Sequence, residues 1–290
     1  MKRLLAESGI RPSRVRGQNF LVNASLMAFV AESAALGPHD VVLEPGAGVG
    51  NLTALLASRG GCVVAVEIDA ALHAIASQRL SSLANVRLIH SDILQRGERI
   101  APEVARAVEE ALARLPGSRL KVVANLPYIV STAFITAALL DGPAPERMIV
   151  MVQKEVADRI TAAPGGKEYG YLSVIVQALS RTRVLRRVPP GAFWPPPKVE
   201  SEIVEILPDS KLRSAAGDIE RLRSVASALF RHRRKQLGRT LIMAEFAHDR
   251  DDATELLSKI GAAAKDRAET LSVQQVARLA AMLPGSAETR

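Results

Sequence analysis

The sequence predicts an α/β protein with a doubly wound, mostly parallel sheet and a smaller, all-helical C-terminal domain. Short apolar runs alternate with amphipathic segments up to residue 152, which is the pattern of parallel strands joined by crossover helices. Residues 209–290 show helical patterns only. The chain has 290 residues, enough for two cores. We therefore predict domains at residues 1–208 and 209–290.

The elements of the first domain follow from apolar runs and capping residues. Asn23 and Asp69 are predicted to cap helices, and the spacing of apolar residues predicts an amphipathic helix over 102–115. Between Leu172 and the end of this domain, helical patterns become rare. Predicted strands at 184–188 and 203–206 indicate a hairpin that closes the sheet. Ser272 is predicted to cap the last helix. Buried strands are predicted at 41–43, 62–66, 86–89, 120–124 and 148–152.

The composition favours some classes of protein and argues against others. The net charge of +8 and the pI of about 10.0 favour a polyanionic partner, and nucleic acid first. A single cysteine, Cys62, points to a reducing compartment, so we expect a cytoplasmic protein. The five histidines lack ligand spacing, and no apolar run is long enough to span a membrane. We expect no metal, no membrane and a monomer.

A glycine-rich turn and two acidic residues predict a nucleoside pocket. Gly46, Gly48 and Gly50 follow the first strand at a spacing tighter than that of dinucleotide-binding loops. Glu67 ends the second strand, where a carboxylate accepts hydrogen bonds from ribose hydroxyls. Asp92 follows the third strand and can accept from an adenine amine. The alternatives are a plain tight turn, a solvated strand end and a helix cap.

The tetrapeptide 125–128 follows the fourth strand. Pro127 fixes its own φ and favours an extended Leu126, which holds the Asn125 side chain and nearby carbonyls as acceptors. Tyr128 offers a flat face, so the group suits a planar ring with an exocyclic amine. Phe193, in a loop with five prolines, is a candidate second aromatic wall. The alternatives are a proline turn with a locally bonded Asn125, and a Phe193 that lies in the core.

Two stretches carry concentrated positive charge. Residues 1–18 are predicted to form a basic arm, and residues 221–240 contain seven Lys or Arg and no Asp or Glu. The second stretch is either a solvated face or a phosphate-binding patch, and the high pI favours the patch. Its candidate residues are Arg231, Arg233, Arg234 and Lys235.

The order of these motifs resembles the ribosomal RNA adenine dimethyltransferases over nearly the full length. The resemblance is carried by Asp92 and by the segments 17–21, 44–53, 66–69, 125–128, 169–174, 193–201, 230–235 and 268–272. Ala47 and Ser91 depart from the family pattern without removing a group that the reaction needs. The resemblance implies a Rossmann-like, class I methyltransferase domain followed by a helical domain that binds rRNA.

The resemblance also implies the residue roles. S-adenosylmethionine is implied as cofactor, without a metal, and small-subunit (16S) rRNA as partner and substrate, dimethylated at two adjacent adenosines. The residues implied to bind the cofactor are Asn19, Leu21, Gly46, Gly48, Glu67, Asp92 and Asn125. Those implied in catalysis are Asn125, Leu126, Pro127, Tyr128 and Phe193, with Tyr128 and Phe193 stacking on the target base.

Three other readings stay open on the sequence alone. The macrolide-resistance methyltransferases of large-subunit rRNA share the catalytic motifs, although the helical domain favours the small-subunit enzymes. A DNA adenine methyltransferase is less well supported, because no separate base-reading domain is apparent. A mainly non-catalytic ribosome-assembly factor is disfavoured by the intact residues Asn125, Glu67 and Asp92.

Overall fold

The computed structural model describes Pro12 and residues 17–283, so most of the predicted basic arm at 1–18 lies outside the described residues. The chain divides into two compact units. The first contains the residues up to Ala157 together with Arg183–Leu207, and the second contains Asp158–Thr182 together with the residues from Pro208 on. The sequence predicted a single boundary between residues 208 and 209.

Residues Asp158–Thr182 join the second unit for a physical reason. They contain a helix, Tyr171–Leu179, that packs on helices Ser210–Ala216, Ile219–Arg231 and Val273–Met282. This helix is buried on almost every side. Such a segment needs a shell of neighbouring helices, and the C-terminal part of the chain supplies them.

The described strands and helices alternate through the first part of the chain. The strands are β1 (Phe20–Leu21), β2 (Asp40–Pro45), β3 (Cys62–Glu67), β4 (Val86–His90), β5 (Leu94–Gln95), β6 (Arg99–Ile100), β7 (Arg119–Asn125), β8 (Arg147–Gln153), β9 (Ser180–Val188), β10 (Phe193–Trp194) and β11 (Ser201–Pro208). The helices are α1 (Ala24–Ser33), α2 (Asn51–Ala57), α3 (Ala70–Leu80), α4 (Pro102–Arg114), α5 (Ser131–Leu140), α6 (Lys154–Thr161), α7 (Tyr171–Leu179), α8 (Ser210–Ala216), α9 (Ile219–Arg231), α10 (Leu237–Met243), α11 (Arg250–Lys259) and α12 (Val273–Met282).

The central sheet has the strand order β4-β3-β2-β7-β8-β11-β9. Strand β2 pairs in parallel with β3 on one side and with β7 on the other, and β4 and β8 extend the two sides in parallel. Strand β11 pairs antiparallel with β8, and β9 forms the edge. This doubly wound, mostly parallel sheet confirms the predicted fold class. The strand order reverses between β2 and β7, where such sheets bind ligands.

Local sequence signals determine most helix starts. The Asn23 side chain accepts a hydrogen bond from Leu26 N–H at 3.0 Å, Asp69 caps α3, and Ser272 caps α12. Helix α4 runs from Pro102 as predicted. The expectation that helices become rare after Leu172 was wrong, because α7 occupies 171–179. Among the described residues, no helix is both long and apolar enough to cross a membrane.

A buried ion pair lies at the amino ends of β2 and β7. Lys121 Nζ is 2.8 Å from Asp40 Oδ2, and both side chains are almost fully buried. Lys121 also donates to the carbonyl of Ala35, and Gly37 N–H donates to Asp40 Oδ2. Burial alone would raise the pKa of Asp40, but the hydrogen bonds from Lys121 and Gly37 lower it below its usual value. The pair thus joins two central strands to the end of the first helical segment.

We expect Lys121→Met to lower the free energy of unfolding by about 3 kcal/mol, because Asp40 keeps a buried charge without its main partner. The double variant Lys121→Met/Asp40→Asn removes that charge and should recover part of the loss. Denaturant unfolding of the three proteins measures both effects. A double variant less stable than Lys121→Met would contradict this account of the pair.

Candidate active site

A cavity of about 250 Å³ lies at the carboxyl ends of the parallel strands in the first unit. Its walls come from the loops after β2, β3, β4 and β7 and from the segment just before β1. This is the position where the strand order reverses. The predicted site residues that line this cavity are Asn19, Gly46, Gly48, Glu67, Asp92, Asn125, Leu126, Pro127 and Tyr128.

The glycine loop lets the backbone approach the turn after β7. Gly46 has φ +75°, and a Cβ at this position would lie 3.0 Å from the Pro127 ring. Any larger residue would therefore be strained and would push Pro127 away. The N–H groups of Gly46 and Ala47 donate to the carbonyl of Val66 at 2.8 and 3.0 Å. These bonds fix the loop against the end of β3.

Glu67 is buried and organises two loops at once. Its Oε2 accepts from Gly48 N–H at 2.7 Å, and its Oε1 accepts from Asp69 N–H at 2.9 Å. Burial raises the pKa of Glu67, although these two hydrogen bonds oppose the shift. Each carboxylate oxygen keeps a second lone pair. The side chain can therefore still accept hydroxyl donors from a ligand in the cavity.

Asp92 and Phe20 border the same cavity. Asp92 Oδ1 accepts from Leu94 N–H at 3.0 Å, which fixes the turn after β4 and makes the helix-cap alternative wrong, since the short strand β5 follows. Phe20 was missed at the sequence level. It packs with Val49 and Leu72 and presents an aromatic surface to the cavity. The sequence signal for Phe20 was its place in the segment 17–21, but that place does not reveal the direction of its ring.

The side-chain amide of Asn125 is held in one orientation. Its Nδ2 donates to the carbonyl of Asn19 at 3.0 Å, and the Asn19 amide donates to the carbonyl of Gly17 at 3.1 Å. A carbonyl can pair only with the amide nitrogen, so Asn125 Oδ1 must point the other way. That oxygen is buried and has no hydrogen-bond partner in the protein. It is therefore an acceptor without a partner in the protein, on a residue that lines the cavity.

The backbone of the turn narrows the choice of a second acceptor. The carbonyl of Pro127 already accepts from Val130 N–H at 3.1 Å. Leu126 N–H donates to the carbonyl of Met151 at 3.1 Å, which ties the turn to β8. Among the carbonyls of this turn, that of Leu126 is a better candidate than that of Pro127 to accept from an amine, because one lone pair of the Pro127 carbonyl is already used.

Tyr128 lines both the first cavity and a second one of about 600 Å³. Its hydroxyl lies 2.7 Å from Ser201 Oγ. The second cavity is lined by Asn19, Gln153, Lys198 and the three prolines 195–197 among others. The two cavities share Tyr128, Asn19 and three further lining residues, and they therefore adjoin each other.

Phe193 and Leu21 lie in the core of the first unit, paired across strands β1 and β10. Phe193 is only 3% exposed and lines neither of the two large cavities. This corresponds to the core alternative rather than to an open aromatic wall, and stacking on a base would require Phe193 to leave its packing. Leu21 lines a small side cavity of about 50 Å³ next to the glycine loop.

Glu44 lies in that small side cavity and was not selected from the sequence as a site residue. It is 2% exposed, and its Oε2 has no hydrogen-bond partner in the protein. Burial raises its pKa to about 8, and the neighbouring carboxylate of Glu67 adds to the shift, while the Thr53 hydroxyl opposes it. The signal for it was its position at the end of β2, directly before the glycine loop.

The basic cluster of the second unit contains one residue with a structural role. Arg233 Nε pairs with Glu269 at 2.8 Å, and its guanidinium also donates to the carbonyls of Gly166 and Lys167. Arg231 and Arg234 are exposed, whereas Lys235 is partly buried. Arg233 therefore joins two segments of its own unit, while the exposed members of the cluster can contact a partner.

Within the described part of the chain, no group of three or more His, Cys, Asp or Glu side chains is arranged to hold a metal ion.

The sheet order, the glycine loop and the acidic strand ends define a class I methyltransferase fold. The family model for ribosomal RNA adenine dimethylase matches residues 13–284. The chain belongs to the ribosomal RNA adenine dimethylase family.

Individual relatives agree with this assignment. Proteins named ribosomal RNA small subunit methyltransferase A from Geobacter metallireducens and Moorella thermoacetica are 38% and 36% identical, covering 93% and 97% of this chain and 95% of each relative. A dimethyladenosine transferase from Plasmodium falciparum has the same fold (TM-score 0.72, 21% identity, 90% of this chain and 95% of that chain). The 23S rRNA methyltransferase ErmE has a TM-score of 0.62 at 25% identity, over 91% and 99% of the two chains.

The raised pKa of Glu44 gives a stability prediction. In the folded protein this carboxyl has a pKa of about 8, whereas the ordinary pKa of a glutamate is 4.5. Between these two pH values the carboxyl is protonated in the folded state and ionised in the unfolded state. The folded state therefore binds more protons in this window, and the free energy of unfolding falls as the pH rises through it. Glu44→Gln cannot titrate and should lack this component.

We expect the free energy of unfolding of Glu44→Gln to rise relative to wild type between about pH 5 and about pH 9. Denaturant unfolding without ligand, at several pH values, measures the difference. Parallel pH profiles for the two proteins would show that Glu44 does not titrate in this range.

Proposed function

We propose that this chain is an S-adenosylmethionine-dependent rRNA adenine N6,N6-dimethyltransferase. Its proposed substrates are two adjacent adenosines near the 3′ end of small-subunit (16S) rRNA, modified in the cytoplasm during ribosome biogenesis. Family membership supports the reaction class, and the names of the relatives at 36–38% identity support the small subunit. The observation that carries the proposal is the buried, unpaired Oδ1 of Asn125 at the cavity.

The first cavity fits the proposed cofactor. Its walls are mainly apolar, with carboxylates of Glu67 and Asp92 at one side and the close Gly46 backbone at the other. Glu67 would accept from the ribose hydroxyls and Asp92 from the adenine amine. When bound, S-adenosylmethionine supplies a methyl group that its positively charged sulfur already activates. Such a reaction depends on positioning and electrostatics, with no need for a strong base.

Residues around the turn after β7 would prepare the attacking amine. The lone pair of an adenine amine is delocalised into the ring, so the amine is a poor nucleophile. Asn125 Oδ1 and the carbonyl of Leu126 would accept its two hydrogens and favour a pyramidal nitrogen. Asn19 holds Asn125 in the required orientation through the 3.0 Å bond. The chain therefore supplies acceptors in fixed positions, and their buried surroundings strengthen these bonds.

The second cavity is the proposed place of the extruded adenosine. A base must leave its stack to be reached, and this costs a few kcal/mol unless the base is already unpaired. Stacking on Tyr128 would contribute about 1–3 kcal/mol of binding free energy, which offsets part of the cost of extruding the base. Lys198 borders this cavity and offers a positive charge to the neighbouring backbone. A second methyl transfer requires the same compartment to accept an amine that already carries one methyl group.

The helical unit is proposed to bind rRNA through the exposed members of its basic cluster. Arg231 and Arg234 lie at the end of α9 and just beyond it and are exposed. Arg233 is used within the protein, since it pairs with Glu269. The phosphate contacts should therefore come from Arg231, Arg234 and Lys235 rather than from all four residues.

Transfer of labelled methyl from S-adenosylmethionine to small ribosomal subunits that lack the modification tests the proposed reaction. We expect the wild type to label adenosines of small-subunit RNA. Asn125→Ala should lose at least a hundredfold in rate, because it removes an acceptor used in the reacting geometry. Asn23→Ala is the matched control, because it removes a helix cap, which costs about 1 kcal/mol of stability, and leaves the site intact.

The other readings predict other outcomes of the same assay. Label on large-subunit RNA would indicate an enzyme of the resistance type, and label on duplex DNA would indicate a DNA methyltransferase. Binding to small subunits without any label, with the cofactor still bound, would indicate an assembly factor. Equal rates for wild type and Asn125→Ala would contradict the assigned role of Asn125.

The role of the basic cluster can be measured as a salt dependence. We expect Arg231→Ala/Arg234→Ala to weaken RNA binding and to reduce the slope of log K against log salt by roughly 1–2, because each lost phosphate contact removes about 0.7–0.9. Arg233→Ala should instead lower the free energy of unfolding and leave the slope nearly unchanged. An unchanged slope for the double variant would exclude this patch from the interface.

A further inference from the structure

Tyr128 is held by one hydrogen bond at its backbone and by another at the tip of its side chain. At the backbone end, Ser131 Oγ donates to the Tyr128 carbonyl at 3.0 Å. At the other end, its hydroxyl pairs with Ser201 Oγ at 2.7 Å. The hydroxyl oxygen lies on the axis through Cβ, Cγ and Cζ, so its bond to Ser201 fixes the direction of that axis and thereby the position of the ring. Burial raises the pKa of the Tyr128 hydroxyl, so the hydroxyl stays neutral at physiological pH.

Ser201 is itself a rigid anchor. It is fully buried, and it opens strand β11, where it lies opposite Gln153 of β8. Next to it, Lys154 N–H donates to the carbonyl of Glu200 at 2.9 Å. The serine hydroxyl thus belongs to the central sheet, and through it the sheet holds the outer edge of the Tyr128 ring.

The hydrogen bond to Ser201 explains why a tyrosine is better suited to position 128 than a phenylalanine. A phenylalanine would offer nearly the same stacking area, but it would have no bond to the sheet. Tyr128 lines both cavities, so a shift of its ring would move the surface on which a base stacks and, with it, the amine that the base presents. Small errors of orientation at a reacting centre lower the rate strongly.

We infer that Ser201 is a positioning residue for methyl transfer, which fixes the position of the Tyr128 ring through the bond between the two hydroxyl groups. The inference rests on the proposed function, because it assigns Tyr128 the stacking of the target base. Ser201 lines neither of the two large cavities. It therefore acts only through Tyr128 and not by touching a ligand in them.

A double-mutant cycle with Ser201→Ala and Tyr128→Phe tests the inference. Each single variant should lower kcat roughly three- to tenfold, which is the worth of one hydrogen bond. The KM for the ribosomal substrate should change little, because many phosphate contacts outside the site determine it. The double variant should be no slower than the slower single variant, because both substitutions break the same bond.

Ser180→Ala is the matched control. Ser180 is also a buried serine at the start of a strand, but its hydroxyl donates to the carbonyl of Val176. This variant should lose stability without a change in kcat, and Ser201→Thr, which keeps a hydroxyl group, should recover part of the rate lost in Ser201→Ala.

Two results would overturn the inference while the proposed function stands. One is a wild-type kcat for Ser201→Ala, and the other is a double variant whose loss equals the product of the single losses. A wild type that transfers no methyl group to any RNA would contradict the proposed function, and the inference would fail with it.

Discussion

The hydrogen bond from Asn125 to the carbonyl of Asn19 is the contact on which the geometry of the site depends. It decides which end of the Asn125 amide faces the cavity, and it ties the segment before β1 to the carboxyl end of β7. The turn that follows packs against the glycine loop, where only a glycine fits at position 46 beside Pro127. The N-terminal motif, the glycine motif and the turn are therefore parts of one packed unit. A substitution in any of these three segments should therefore shift the position of Asn125 Oδ1.

The same edge of the sheet holds polar atoms that the protein itself leaves unsatisfied. Asn125 Oδ1 and Glu44 Oε2 are buried without hydrogen-bond partners in the protein. Each such group costs about 1–3 kcal/mol, and a folded protein tolerates this cost where a ligand supplies the partners. At the amino ends of the same strands, Asp40 Oδ1 also lacks a hydrogen bond, but the carboxylate is paired with Lys121 at 2.8 Å and with Arg119 at 3.3 Å. The buried charge at that end is thus balanced by the protein's own side chains.

The sequence predicted those features that depend on a few neighbouring residues. The caps at Asn23 and Asp69 and the start of α4 follow from local chemistry, and the alternation of strands and helices sufficed for the sheet. Helix α7 was missed because a short, mostly apolar run can belong to a buried strand or to a buried helix, and its pattern does not decide between them. The inward packing of Phe193 depends on pairing with Leu21, far away in the chain. The protonation of Glu44 depends on complete burial, which no local pattern reveals.

The basic cluster shows why charge counted along a chain differs from charge offered to a partner. The sequence contains seven positive residues between 221 and 240, but Arg233 pairs with Glu269 and donates to two carbonyls. Glu269 lies in the motif 268–272, so two motifs that suggested RNA binding and a domain end are joined by one ion pair. A phosphate that approached Arg233 would have to displace that carboxylate. The positive charge that this stretch offers to a partner is therefore smaller than its sequence count suggests, because Arg233 is already paired within the protein.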